Sequence, residues 1–186
     1  MKAYAQILLV GAVTLGVAWA QGLGTKVGLR PAKKTIELKN AKGESVGTAT
    51  LKPKGNRLVI HGNFTNLPPG DHALHIHQNA KCEADPAAPQ DAFKSAGPHF
   101  NPAAKKHGLM SPEGPHAGDL PNFTVSAKGT AKTRVEAPHV TLTEDTANSV
   151  YAGGGTALVI HEKADDLKTD PAGNAGPRIA CGVITK

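Results

Sequence analysis

Nine histidines punctuate the chain, at positions 61, 72, 75, 77, 99, 107, 116, 139 and 161, and their spacing is what could do chemistry. His75 and His77 stand two apart in Ala73-Leu74-His75-Ile76-His77. On a strand, residues two apart project from one face, so both imidazoles aim at one point while Leu74 and Ile76 turn into a core. Two imidazoles fixed this way make a rigid pair of metal ligands. Further along, His99, His107 and His116 are followed by Asp119. Three imidazoles and a carboxylate complete a tetrahedral set for Zn2+ with no open position, the composition of a structural zinc site. His161 closes the apolar run Thr156-Ala157-Leu158-Val159-Ile160, where a neighbouring strand would add a third imidazole to His75 and His77. Several nitrogen ligands at a sheet face suit copper. A lone histidine is more often solvated or hydrogen-bonded, and an H-x-H pair alone is a weak signal. The weight lies in the combination.

These side chains need rigid elements to position them. The chain has 186 residues, 39% hydrophobic and 19% charged, which suits one domain with a real core and excludes a disordered chain. No long period repeats, which excludes solenoids and propellers. With 21 Gly and 14 Pro, turns are frequent and long helices are broken. Polar–apolar alternation predicts strands over 35–39, 45–51, 57–64, 73–77, 122–127, 131–142, 156–162 and 178–185, the first four as a meander. The fold class is therefore all-β: an eight-stranded antiparallel Greek-key sandwich or flattened barrel. Residues 78–119 form a long loop rich in Pro, Gly and His, and 163–177 a second, polar loop. A long structureless loop is implausible in a compact domain unless something pins it, and a metal would.

The first twenty residues have a cationic Lys2, an apolar stretch from Ile7 to Val17, and Ala18-Trp19-Ala20. That pattern predicts a secretory signal peptide over 1–20, cleaved after Ala20. The alternative is a membrane anchor, but about 20 apolar residues are wanted for one and Gln6 interrupts this stretch. Residues 21–34, rich in Gly and Lys, read as a flexible basic arm, and 35–186 as the domain. Export places the protein in a periplasm or outside the cell, with no stable membrane span after cleavage. Cys82 and Cys181 in an oxidising compartment are most simply one disulfide, closing so long a loop that the gain would be roughly 4–5 kcal/mol. Two unpaired buried thiols are the alternative. The formal net charge is +6, yet no dense Lys/Arg block is interleaved with aromatics, which argues against nucleic acid.

Six segments in order, GDHALHIH (70–77), AGPHFNP (96–102), HG (107–108), HAGDL (116–120), LVIHEKADD (158–166) and GNAGPRIACGV (173–183), resemble the copper–zinc superoxide dismutases across essentially the whole domain. The resemblance implies copper ligands at His75, His77, His99 and His161, and zinc ligands at His99, His107, His116 and Asp119. His99 would be shared, as an imidazolate stabilised by two dications. It further implies that Arg178 guides the anion, that Asp165 hydrogen-bonds ligands of both metals, that Cys82 and Cys181 form the family disulfide, and that His72 is structural. His61 and His139 match no ligand position and read as surface residues. Ala73-Leu74 stands where a Gly-Phe pair is common, a change of packing and not of chemistry.

The implied activity is dismutation of superoxide to O2 and H2O2 by a redox-cycling copper, with His99 and Arg178 as catalytic residues, protecting against superoxide outside the cytoplasm. Two other classes stay in view. An exported copper and zinc carrier would share the ligands but need neither Arg178 nor an open copper face. A structural β-sandwich would carry its histidines incidentally. Monomer and homodimer both stay open.

Overall fold

The computed structural model describes residues 33–84 and 92–186. The expected signal peptide lies outside them, as does the basic arm up to residue 32. Nine strands follow in chain order: β1 Lys34–Lys39, β2 Ser45–Lys54, β3 Arg57–Phe64, β4 Gly70–His72, β5 Leu74–His77, β6 Phe123–Val125, β7 Ala131–Ala137, β8 Thr156–His161 and β9 Arg178–Ile184. No α-helix occurs among the described residues. Seven strands form one antiparallel sheet in the order β5-β8-β9-β1-β2-β3-β7, and β4 pairs with β6 in a second, small sheet.

Alternation explains how the sheet curls around its core. Ile36 and Leu38 of β1 are buried while Thr35, Glu37 and Lys39 are exposed. At Gly47, φ is +122° and a Cβ would overlap the Asn63 carbonyl, so only glycine fits where the register with β1 shifts. Leu51, Leu58, Ile60, Phe64, Leu74, Ile76, Leu158 and Ile160 fill the interior. In β8 all six residues are buried. Leu158 and Ile160 face this core, while Ala157 and Val159 face a second cluster with Ala92, Phe93, Ala96 and Cys181. A strand covered on both faces reads as a continuous apolar run.

Three expectations are corrected. The strand expected at 73–77 begins at Leu74, and a short strand that alternation did not show, Gly70–His72, precedes it in the small sheet; Ala73 is the switch point between them, its N–H donating to the Lys163 carbonyl at 2.8 Å. Nor does that strand continue a meander. The neighbour of β3 is β7, and the chain crosses to the far edge of the large sheet, where β5 pairs with β8. Pro68-Pro69-Gly70 breaks the pairing that a simple hairpin would need. The strand expected to reach 142 ends at Ala137, before Pro138, which has no N–H to continue the ladder.

Leu158 is fully buried at the centre of this core. Leu158→Ala is expected to lower unfolding stability by about 2–5 kcal/mol, read as a shifted midpoint in urea with little change in slope.

Candidate metal centre

β5 is an edge strand, and its free edge organises the long loop. The N–H of Ile76 donates to Gly118 O (2.9 Å), and the N–H of Phe100 donates to Ile76 O (2.8 Å). Isolated antiparallel bridges set His77 opposite His99 and His75 opposite Asp119. Gly118 is needed there, since a Cβ would overlap Ile76 O. Across the other edge of β5, His75 and His77 register with Val159 and Ala157 of β8, whose last residue is His161.

Two sets of side chains converge. His75, His77, His99 and His161 bring one ligand atom each within 4.8 Å of one another, and so do His99, His107, His116 and Asp119. All seven residues are buried. His77 donates from Nδ1 to Gly97 O (2.8 Å), and His161 from Nδ1 to Gly176 O (3.0 Å). Each neutral ring is thereby left with a bare Nε2, and these two nitrogens face each other at 3.3 Å. Lone pair against lone pair is repulsive unless a cation lies between them. His75 Nδ1 and His99 Nε2 are buried with no hydrogen-bond partner, the other two vacant nitrogens of the same set. An orphaned buried acceptor is costly, and four of them around one point fit a nitrogen-loving metal such as copper.

The second set closes on Asp119. Its Oδ1 lies 2.8 Å from His99 Nδ1, 3.1 Å from His107 Nδ1 and 3.3 Å from His116 Nδ1. A tetrahedron with zinc–nitrogen bonds near 2.0 Å has edges of about 3.3 Å, so these spacings fit zinc. Oδ2 of the same carboxylate accepts the N–H groups of Gly108 (2.8 Å) and His116 (2.9 Å). His99 belongs to both sets, through Nε2 and Nδ1. Asp165 spans them: Oδ2 is 2.7 Å from His75 Nε2 and Oδ1 3.0 Å from His107 Nε2. Its placement depends on Gly173, where a Cβ would overlap the Asp165 carboxylate.

Electrostatics disfavour a proton on three rings of the first set. Burial pushes His77 well below its ordinary value, with the charges of His99 and Arg178 adding to the effect. Burial likewise lowers His99 to about 4 and His161 to about 3. Burial also opposes a proton on His107, but the hydrogen bonds to Asp119 and Asp165 outweigh it and push His107 up to about 9. Those bonds hold both carboxyls well below the usual carboxylate range despite their burial.

Arg178 begins β9 and registers with His161 across the β8–β9 ladder. It donates through Nη1 to Phe93 O and through Nη2 to Gly97 O, both at 2.7 Å. The same Gly97 carbonyl therefore orients His77 and Arg178 together. Cys82 and Cys181 form a disulfide that clips this stretch of loop to β9, three residues beyond Arg178. His72 places both ring nitrogens 2.8 Å from backbone carbonyls, of His161 and Pro68, and has none left for a metal. His61 is half-buried on β3 and His139 is exposed, both apart from the two sets. Sequence reasoning missed Asn122, which brackets Asp165 by accepting its N–H (2.9 Å) and donating to its carbonyl (2.8 Å). It also missed Asp170, which accepts the His107 N–H at 2.8 Å. Neither has a telling neighbour in the sequence. Gly97, Gly173 and Gly176 lie inside the motifs, but their glycines carry no side-chain signal.

Comparison with known proteins agrees with this geometry. The family described as Copper/zinc superoxide dismutase (SODC) matches residues 45–184. Superoxide dismutase [Cu-Zn] 1 of Aquifex aeolicus is 50% identical over 153 residues, covering 82% of this chain and 87% of that protein. Among solved structures, a point variant of a SOD-like protein from Bacillus subtilis superposes with a TM-score of 0.77 at 38% identity, covering 83% of this chain and all of the other. The Cu/Zn superoxide dismutase of Brucella abortus gives 0.67 at 30% identity, covering 82% of this chain and 99% of that one. The chain belongs to the copper–zinc superoxide dismutase family.

The shifted histidines predict a pH optimum for the metal-free fold. Below the unfolded value of 6.5, the unfolded chain takes up protons that the buried rings refuse, His99 until about 4, His161 until about 3 and His77 well below its ordinary value, so stability falls with pH. Each ring contributes about 1.4 kcal/mol per pH unit to that slope. His107 acts oppositely: its contribution is complete below 6.5 and is lost as pH rises towards 9. Melting temperatures of the chelator-treated protein should peak near pH 6.5 and fall on both sides; a flat profile between pH 5 and 9 would contradict the protonation states assigned here.

Proposed function

We propose that this protein dismutes superoxide to O2 and H2O2, with copper held by His75, His77, His99 and His161 and zinc by His99, His107, His116 and Asp119. The observation that carries the reading is the pair of bare Nε2 atoms of His77 and His161, 3.3 Å apart beside the orphaned nitrogens of His75 and His99. Copper supplies the one-electron steps by alternating between its +2 and +1 states, and zinc, which has no redox chemistry, orients His99. His99 Nδ1 stays with the zinc set. Its Nε2 is the position from which the chain takes up and returns a proton as it leaves and rejoins the copper set. Asp165 fixes His75 and His107 so that each presents Nδ1 inward.

Arg178 favours an enzyme over a metal carrier. It registers with His161 across the β8–β9 ladder and shares the Gly97 carbonyl with His77, so it stands beside the copper set. It is half-buried, and two backbone carbonyls fix its guanidinium. A fork of donors held beside a metal is suited to steering a small anion, a task a carrier does not have. We also read residues 1–20 as an export signal and place the activity outside the cytoplasm. The disulfide supports an oxidising compartment, and among the described residues no helix is long and apolar enough to cross a membrane.

The deciding experiment is superoxide decay catalysed by the copper- and zinc-loaded protein, against the same protein loaded with zinc alone. Fast, copper-dependent decay is expected. Stoichiometric copper binding with decay no faster than the zinc-only control would make the protein a carrier. Arg178→Ala should keep both metals and lose about tenfold or more in rate at low ionic strength, with a weaker dependence on salt than the parent.

A further inference from the structure

The loop that covers the outer face of β8 and β9 stops there. Over β2, β3 and β7 no other described residue covers the outer face of the same sheet, and it is strongly cationic. Lys52 and Lys54 of β2, Arg57 of β3, and Lys132 and Arg134 of β7 are all exposed on it. The one carboxylate on these three strands, Glu136, is shared by Lys54 (2.9 Å), Arg134 (3.3 Å) and Arg57 (3.5 Å), which fixes three of the cations around a hub. Five cations against one carboxylate make a net +4, where the whole sequence carries +6.

The register gives this face a shape. Lys54 pairs with Arg57; Lys52, Val59 and Glu136 form the next row; Thr50, His61 and Arg134 the next; Thr48, Asn63 and Lys132 the last. Neighbouring strands are about 4.8 Å apart and same-face residues along a strand roughly 6.7 Å, which sets the pitch of the charges. Between the cations stand hydroxyl, amide and imidazole groups: Thr48, Thr50, Asn63 and His61. No aromatic side chain on this face could stack a nucleic-acid base. Nor is there an apolar anchor for a bilayer: the exposed large hydrophobic residue among those described is Met110, in the long loop, and Val59 is 4% exposed beneath its neighbours.

We propose that the outer face of β2, β3 and β7 binds a linear anionic polysaccharide, whose charged groups meet Lys52, Lys54, Arg57, Lys132 and Arg134 while its hydroxyls meet the threonines and Asn63. The surface lies on strands that contribute no residue to either ligand set, so binding and catalysis are separable. Docked this way, the protein would be held on a polymer at the cell surface with its metal centre unobstructed.

The test uses the full exported chain loaded with both metals, and dextran sulfate as probe at 0.15 M salt. Retention is expected. The pair Lys52→Gln with Lys132→Gln, neither of which touches Glu136, should weaken binding about tenfold and flatten the slope of log affinity against log salt by roughly 1.4. Metal content and superoxide decay should stay as in the parent. Lys42→Gln with Lys128→Gln removes the same charge from exposed turns elsewhere and should change affinity less than about twofold. Equal weakening by the two pairs would reduce the effect to net charge and overturn the proposal. So would absence of retention, or tighter binding to single-stranded DNA or to anionic phospholipid vesicles than to dextran sulfate.

Discussion

The carboxylate of Asp165 lies buried between the two ligand sets, one oxygen on His75 Nε2 and the other on His107 Nε2. Nearly everything in the centre depends on that bridge. A ring that donates through Nε2 must present Nδ1 inward, so one carboxylate decides which nitrogen two different rings offer. It can do this only because its own position is over-determined. Asn122 grips its backbone from both sides, the Leu167 N–H donates to Oδ1, and Gly173 leaves the space a Cβ would take. The second polar loop, which carries Asp165, is therefore as much a part of the centre as the long one that carries the ligands.

The long loop shows how a stretch without regular structure is made rigid. Only one 3-10 turn, at Lys94–Ala96, interrupts it among the described residues. Its order comes instead from three attachments: single bridges to the edge of β5, the disulfide to β9, and the side chains that surround Asp119. Each attachment also has a chemical consequence. The bridges set His99 beside His77, and the disulfide holds the segment whose carbonyls orient Arg178. An edge strand that would otherwise invite pairing with another chain is covered by its own loop.

Much of this was legible beforehand, and the limits follow from physics. Alternation showed the strands because Ile36, Leu38, Leu74 and Ile76 must face a core. The ligand sets were legible because imidazole and carboxylate types announce metal chemistry and two-residue spacing on a strand announces a shared face. The position of β5 was not, since local alternation is blind to which strand lies beside which; the crossing depends on long-range packing that Pro68-Pro69-Gly70 merely permits. Backbone carbonyls were equally invisible. Gly97 and Gly176 orient His77 and His161 through groups every residue possesses, so no residue type could flag them. Arg178 and Asp165 emerged from family resemblance alone, because a single cation or carboxylate in a polar loop carries no signature of its own.

Six buried imidazoles in one place pose an electrostatic problem that the fold solves asymmetrically. In the copper set, burial and mutual repulsion keep His77, His99 and His161 neutral, so vacant lone pairs are the resting state and a metal meets no imidazolium among them. In the zinc set, two carboxylates held as anions want a positive charge, and His107 supplies it by keeping a proton up to about pH 9. A dication arriving there takes over that role from the proton, which leaves with no change in the state of Asp119 or Asp165. Zinc uptake should thus be coupled to release of the His107 proton at neutral pH, and whichever metal arrives second also displaces the remaining proton of His99 as that ring becomes the shared imidazolate. The two halves of one histidine-rich centre are therefore prepared for their metals by opposite means, one by excluding charge and the other by storing it.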